Sequence, residues 1–173
     1  METDLLPWIE AVGALGDDVL EIGPGPGLTT DLLSRRVPRL TAVEVDAGLA
    51  GPLPRRMEGT NVEVICADAT ASGLEPDRFS GAACFTMLHH MPSPVDQDRH
   101  FAEVNRVLRA GAVFVGTDSR DIDWIREAHA DDIFVPVDPD TPADRLAMAG
   151  FVDTVLGVED YQFRFVTRKP ERS

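Results

Sequence analysis

The chain has 173 residues, 43% of them hydrophobic and 27% charged, a balance that fits a globular fold and excludes a disordered polymer. Its net charge of −14 opposes polyphosphate backbones, so nucleic acid is disfavoured as a partner; "SRRVPR", "PRR" and "RFVTRKPERS" read as solvated helix ends and termini. No apolar run nears the ~20 residues of a membrane span, and the acidic start "METDLLPWIE" is unlike a secretory leader, which makes the cytoplasm the expected compartment.

In chain order, a short N-terminal region, residues 1–17, carries a helix of about Leu5 to Leu15 and precedes strand one at Asp18–Ile22. Gly23, Gly25 and Gly27 lead into a helix of about Leu28 to Arg35, which Pro38 cannot continue. Strand two is "LTAVEV", strand three "VEVICA" and strand four "GAACFT". Pro52 and Pro54 shorten or kink the helix expected between strands two and three. Ser93 caps the next helix, with Pro94 at its first position and Asp96 in its first turn; Phe101, Val104 and Leu108 form its apolar stripe and "RAG" ends it. Strand five is "AVFVGT". Thr141, Pro142 and Gly150 then mark the cap, first turn and stop of a further helix, and "FVDTVLGVEDYQFRFVTRKP" reads as a hairpin. Strands alternating with helices imply an α/β fold with a mostly parallel sheet, one domain over 1–173. Cys66 and Cys84 read as buried core thiols with no metal spacing.

A dinucleotide-binding loop carries G-x-G-x-x-G; here Gly23 and Gly25 fit, but the third position is Leu28 and the extra glycine is Gly27. Glu21, two residues before the first glycine, would oppose a pyrophosphate, whereas a ligand with an ammonium and a sulfonium would be favoured there. The pattern Glu21-x-Gly23-x-Gly25-x-Gly27 resembles motif I of the class I S-adenosylmethionine (SAM)-dependent methyltransferases. Glu44 in "VEVD" matches that family's acid for the ribose hydroxyls. Asp68 in "CADAT" matches its acid for the adenine amine, with the Ala69 N–H facing the ring. "FTMLHHM" and "EVNRVLRAGAVF" are similar to the small-molecule branch that methylates ubiquinone, menaquinone and sterols, although Ala110, Ala112 and Ser80 replace its usual Pro, Gly and Asp.

The resemblance implies a Rossmann-like doubly wound sheet of seven strands in the order 3-2-1-4-5-7-6, with strand seven antiparallel. It implies SAM as cofactor and S-adenosylhomocysteine as product, Phe85 beside the transferred methyl, and a small-molecule acceptor whose identity and methylated atom stay open. His90 matches a position often held by His in this branch, and a histidine is a suitable base near neutral pH, which makes His90 and His129 the candidate catalytic residues. A metal site from His89, His90, Asp96, Asp98 and His100 is not expected, because adjacent histidines diverge and no ligand spacing recurs. The segment Asp118 to Pro139 is a candidate lid, with Trp124, Ile125, His129 and Phe134 on its inner face. A homo-oligomer is compatible with the sequence.

Two alternatives stay open. "EIGPGPGLTT" and "VEVD" also resemble rRNA adenine dimethyltransferases, but Phe85-Thr86-Met87-Leu88 stands where that family has Asn-Leu/Ile-Pro-Tyr. The other is a non-catalytic SAM-binding module.

Overall fold

A computed structural model describes residues 2–13 and 15–172. Helix α1 spans Glu2–Val12, so the expected helix stops short of Leu15; its predicted stretch at Ala14 lies outside the described residues. Strand β1, Asp18–Ile22, is buried along its whole length, as a central strand covered on both faces must be. After the glycines comes α2, Leu28–Leu33, then β2, Arg39–Glu44. Asp46 caps α3, Ala47–Ala50, its carboxylate accepting from the Gly48 and Leu49 amides. Gly51 separates α3 from α4, Pro52–Arg56: the prolines break this helix into two short pieces, as expected.

Strand β3 is Val62–Cys66 and β4 is Phe79–Phe85. A single 3₁₀ turn at Leu88–His90 precedes α5, Pro94–Val107, where the Ser93 hydroxyl accepts from the Asp96 amide at 3.2 Å. Strand β5 runs Leu108–Ser119, starting directly where the helix ends rather than at Ala112: Leu108 pairs with Phe79 before the register shifts, and the Gly111 amide donates to the Lys169 carbonyl. Helices α6, Asp123–Ala128, and α7, Pro142–Met148, are followed by the hairpin of β6, Val152–Val158, and β7, Gln162–Arg168. Thr141 does not cap α7 with its side chain; its hydroxyl donates instead to the Asp138 carbonyl at 2.8 Å, closing the preceding turn.

The sheet order is β3-β2-β1-β4-β5-β7-β6, with β1 to β5 parallel to one another and β7 antiparallel to both β5 and β6. Alternation along each strand divides the core in two. Leu20, Ile22, Ala82, Cys84 and Phe114 face one layer, filled by Phe101, Val104 and Val107 of α5 and Leu146 of α7. Val19, Ala83, Phe85, Val113 and Val115 face the other, against Leu5 and Ile9 of α1 and Leu33 of α2. Both cysteines are free. Cys84 is buried, but Cys66 is exposed, a correction to the buried assignment that follows from β3 being a sheet edge. Strand order reverses between β1 and β4, and the crevice over their carboxyl ends is where such sheets bind ligands. No helix among the described residues is long and apolar enough to cross a membrane.

Candidate functional site

The loop between β1 and α2 needs glycine three times, for two reasons. Gly23, Gly25 and Gly27 have φ of 65°, 53° and 81°, a region that residues with a Cβ enter at a cost. A Cβ on Gly23 would lie 2.2 Å from Met87 Cγ, and one on Gly27 would lie 2.5 Å from Leu53 Cδ1, so these two permit close packing. A Cβ on Gly25 would meet nothing within 4 Å among the described residues, so at this position only the positive φ calls for glycine and the space beside it is open.

Two buried carboxylates back the loop. Glu44 Oε2 accepts from the Gly25 amide and Oε1 from the Asp46 amide, each at 3.0 Å, which ties the end of β2 to the middle glycine. Each oxygen keeps a further lone pair for a ligand. Glu21 is 1% exposed; Thr29 Oγ1 donates to its Oε1, while Oε2 has no hydrogen-bond partner among the described residues. Burial above all pushes the Glu21 carboxyl up to about 7, against the lowering effect of the Thr29 hydroxyl. An orphaned buried carboxylate oxygen of this kind fits a cationic donor and not a phosphate. Asp68 is exposed and accepts from the Thr70 amide and hydroxyl at Oδ1, both at 2.8 Å. Ala69 next to it packs against the core.

Across the sheet, Phe85 closes β4, and Thr86 follows at φ 51°, an unusual conformation for a β-branched residue and one of the kind that gathers at working sites. Its amide is held by the Thr117 carbonyl at 2.8 Å. Beside them lies a cavity of about 310 Å³ lined by Phe85, Thr86, Thr117, Trp124, Ile125 and His129, and closed from the hairpin side by Tyr161, Gln162 and Arg164. Of the lining residues on α6, Ile125 is 3% exposed and anchors the helix, while Trp124 is 59% exposed at the rim. Phe134 does not line this cavity. The chain after α6 turns back, the Val135 amide donates to the His89 carbonyl at 2.7 Å, and the Phe134 ring stacks on His129 at 4.9 Å.

The histidines also depart from expectation. His129 lines the cavity; His90 does not. His89 and His90 do not diverge, because the 3₁₀ turn holds their ring centroids 4.2 Å apart, and His129 lies 4.9 Å from the first and 5.2 Å from the second. Burial, reinforced by the neighbouring His89, lowers the His90 pKa below its ordinary value. His100 points elsewhere, buried beside the Ala69 carbonyl, and burial lowers it to about 4. Asp96 and Asp98 are engaged by Arg99 and Arg145. A feature without a sequence motif is the fully buried pair of His89 Nδ1 and Asp118 Oδ1; Asp118 Oδ2 also accepts from the His89 amide at 3.1 Å. Pairing of Phe85 with Thr117 brings Asp118 to that turn. The Tyr161 wall carried a usable signal: an antiparallel last strand must begin at the carboxyl edge, and Gln162 pairs with Ser119.

A glycine loop backed by acids at the ends of β1 and β2, in a sheet of order 3-2-1-4-5-7-6, defines a class I methyltransferase domain. The chain belongs to the methyltransferase-domain family, whose model matches residues 19–111, and SAM is the cofactor of that family. It is 35% identical over 118 residues to a ubiquinone biosynthesis O-methyltransferase of Pseudomonas fluorescens, covering 65% of this chain and 50% of the relative. It is 48% identical over 65 residues to ribosomal RNA small subunit methyltransferase A of Koribacter versatilis, covering 36% of this chain and 23% of the relative. The chain thus spans half or less of the length of these relatives. Its fold matches phosphoethanolamine N-methyltransferase 2 of Haemonchus contortus, solved with SAM, at a TM-score of 0.81 and 13% identity, over 96% of this chain and 52% of that one.

Proposed function

We propose that this domain transfers the methyl group of SAM to a small-molecule acceptor held in the cavity beside Phe85 and Thr86. The observation that carries the reading is the placement of that cavity. Met87 packs on Gly23, so the segment after β4 joins the glycine loop on one side and the cavity wall on the other. In this reading the SAM ammonium partners Glu21, Gly25 admits the cofactor's closest approach, and Glu44 accepts from the ribose hydroxyls. Asp68 and the Ala69 N–H take the adenine, and Phe85 flanks the methyl.

The sulfonium already activates the methyl, so the protein's contribution is in-line positioning in a site shielded from water. Trp124 and Ile125 meet the acceptor's apolar body, the 118–139 segment serves as lid, and Phe134 orients His129. A proton leaving a hydroxyl acceptor is received at the histidine cluster, where His129 forms the cavity wall and His90 stands beside it. An apolar-lined cavity in a chain of net charge −14 favours a small molecule over rRNA. The test is a panel of small hydroxyl, carbon-acid and amine acceptors, with an rRNA fragment alongside, incubated with methyl-labelled SAM. Label in a small acceptor supports the proposal; label in the RNA alone, or in nothing, refutes it.

A further inference from the structure

His89, His90 and His129 come from two segments, the turn after β4 and the end of α6, and bring one ring nitrogen each to within 4.8 Å of the other two. Ring packing accounts for the closeness but not for how the rings are turned. Each Nδ1 faces a group that only accepts. The buried Asp118 carboxylate holds that of His89, Asp132 Oδ2 lies 3.2 Å from that of His90, and the Ile125 carbonyl lies 2.7 Å from that of His129. At His89 and His129 the hydrogen-bond acceptor at Nδ1 fixes the proton there and leaves the lone pair on Nε2, while at His90 the Asp132 carboxylate stands beside the ring as a charge partner. A carboxylate or carbonyl behind the distal nitrogen is the arrangement that orients metal-ligating histidines and raises their basicity.

We propose that His89, His90 and His129 form a three-histidine site for a divalent transition-metal ion, zinc foremost, bound through the three Nε2 atoms. Imidazole nitrogens suit zinc and its first-row neighbours, and three protein ligands leave a fourth position for water or another oxygen. Tetrahedral zinc with bonds of about 2.0–2.1 Å sets its nitrogens ~3.3 Å apart, so binding draws the three rings in from the 4.8 Å within which their nitrogens lie. His89 is 2% exposed and forms the floor, while the His90 side chain is 40% exposed and leaves a route in. The two carboxylates behind the rings, in an acidic chain, favour a dication. Because His129 also lines the cavity, an acceptor hydroxyl bound at the open position would have its pKa lowered by the ion and would release its proton to solvent, the ion then replacing the imidazoles as what makes the oxygen nucleophilic. That consequence rests on the methyl-transfer reading; the site itself does not.

The test uses the tag-free full chain stripped with a chelator, titrated with Co²⁺ for its visible absorption bands and with Zn²⁺ by calorimetry. One ion per chain is expected. His90→Ala and His129→Ala should each weaken binding ~100-fold or more, and Asp132→Asn, at an exposed position, ~10-fold through its support of His90. His89→Ala is avoided, because it would strand the buried Asp118 carboxylate. S-adenosylhomocysteine binding, followed on the same samples, checks the fold and reports separately on the cofactor site. Absence of Co²⁺ and Zn²⁺ binding to the unsubstituted chain, or affinities unchanged in both histidine variants, would overturn the proposal.

Discussion

Glu21→Gln isolates the most unusual group in the cofactor loop. The Glu21 carboxyl rises from 4.5 to about 7 on folding because burial penalises its charge. The cofactor-free folded chain therefore holds this proton more tightly than the unfolded one. The stability it contributes is complete below pH 4.5 and is lost as pH rises to and through 7. At 1.36 kcal/mol per pH unit, the loss is under about 1 kcal/mol at pH 5 and about 3 kcal/mol at pH 7. Glutamine keeps the shape and an acceptor for Thr29 but has no charge to bury. Urea denaturation of both proteins without cofactor, from pH 4.5 to 8, should show the variant gaining on the parent by about 2 kcal/mol between pH 5 and 7, then levelling. SAM binding should move the other way, because an ammonium–carboxylate hydrogen bond contributes about 1.5–3 kcal/mol, roughly 10- to 150-fold in affinity. A stability difference that stays flat between pH 4.5 and 7 would refute the assignment of Glu21 as a buried, frustrated acid.

Glu44→Ala and Asp68→Ala should each weaken SAM binding by ~1–3 kcal/mol, read by calorimetry. Only Glu44→Ala should also lower the melting temperature, because it frees the Gly25 and Asp46 amides, whereas Asp68 is exposed. Gly25→Ala has open space for its Cβ and should cost only the ~1–2 kcal/mol of a left-handed alanine, yet abolish detectable SAM binding; retained affinity would show that no ligand approaches there. His90→Ala and His129→Ala should slow single-turnover methylation by ~10²–10⁴-fold with SAM affinity unchanged. If both keep the parent rate, positioning alone suffices; if SAM affinity falls with the rate, the residue belongs to the cofactor loop.

Much of this architecture is legible in the chain itself. Buried parallel strands are short apolar runs, glycine and proline punctuate them, and β1 begins and ends where its residues place it, at Asp18 and Ile22. The broken helix after β2 is written in Pro52 and Pro54. What escapes is set by contacts between distant segments. Nothing local marks Asp118 as the partner of His89; only the pairing of β4 with β5 brings them together. The convergence of His129 on His89 and His90 depends on the chain turning back after α6, which no periodicity encodes. Cys66 lies in an apolar run, but its exposure follows from strand order, with β3 outermost. The histidines were thus visible as residues and invisible as a cluster.

On the proposed reading, the loop from Glu21 to Gly27, closed by Glu44, holds SAM. Isothermal titration of the intact chain with SAM, S-adenosylhomocysteine and NAD tests it most directly. The prediction is one SAM or S-adenosylhomocysteine per chain, bound more tightly than NAD. Absence of SAM binding, or NAD binding more tightly than SAM, would contradict it.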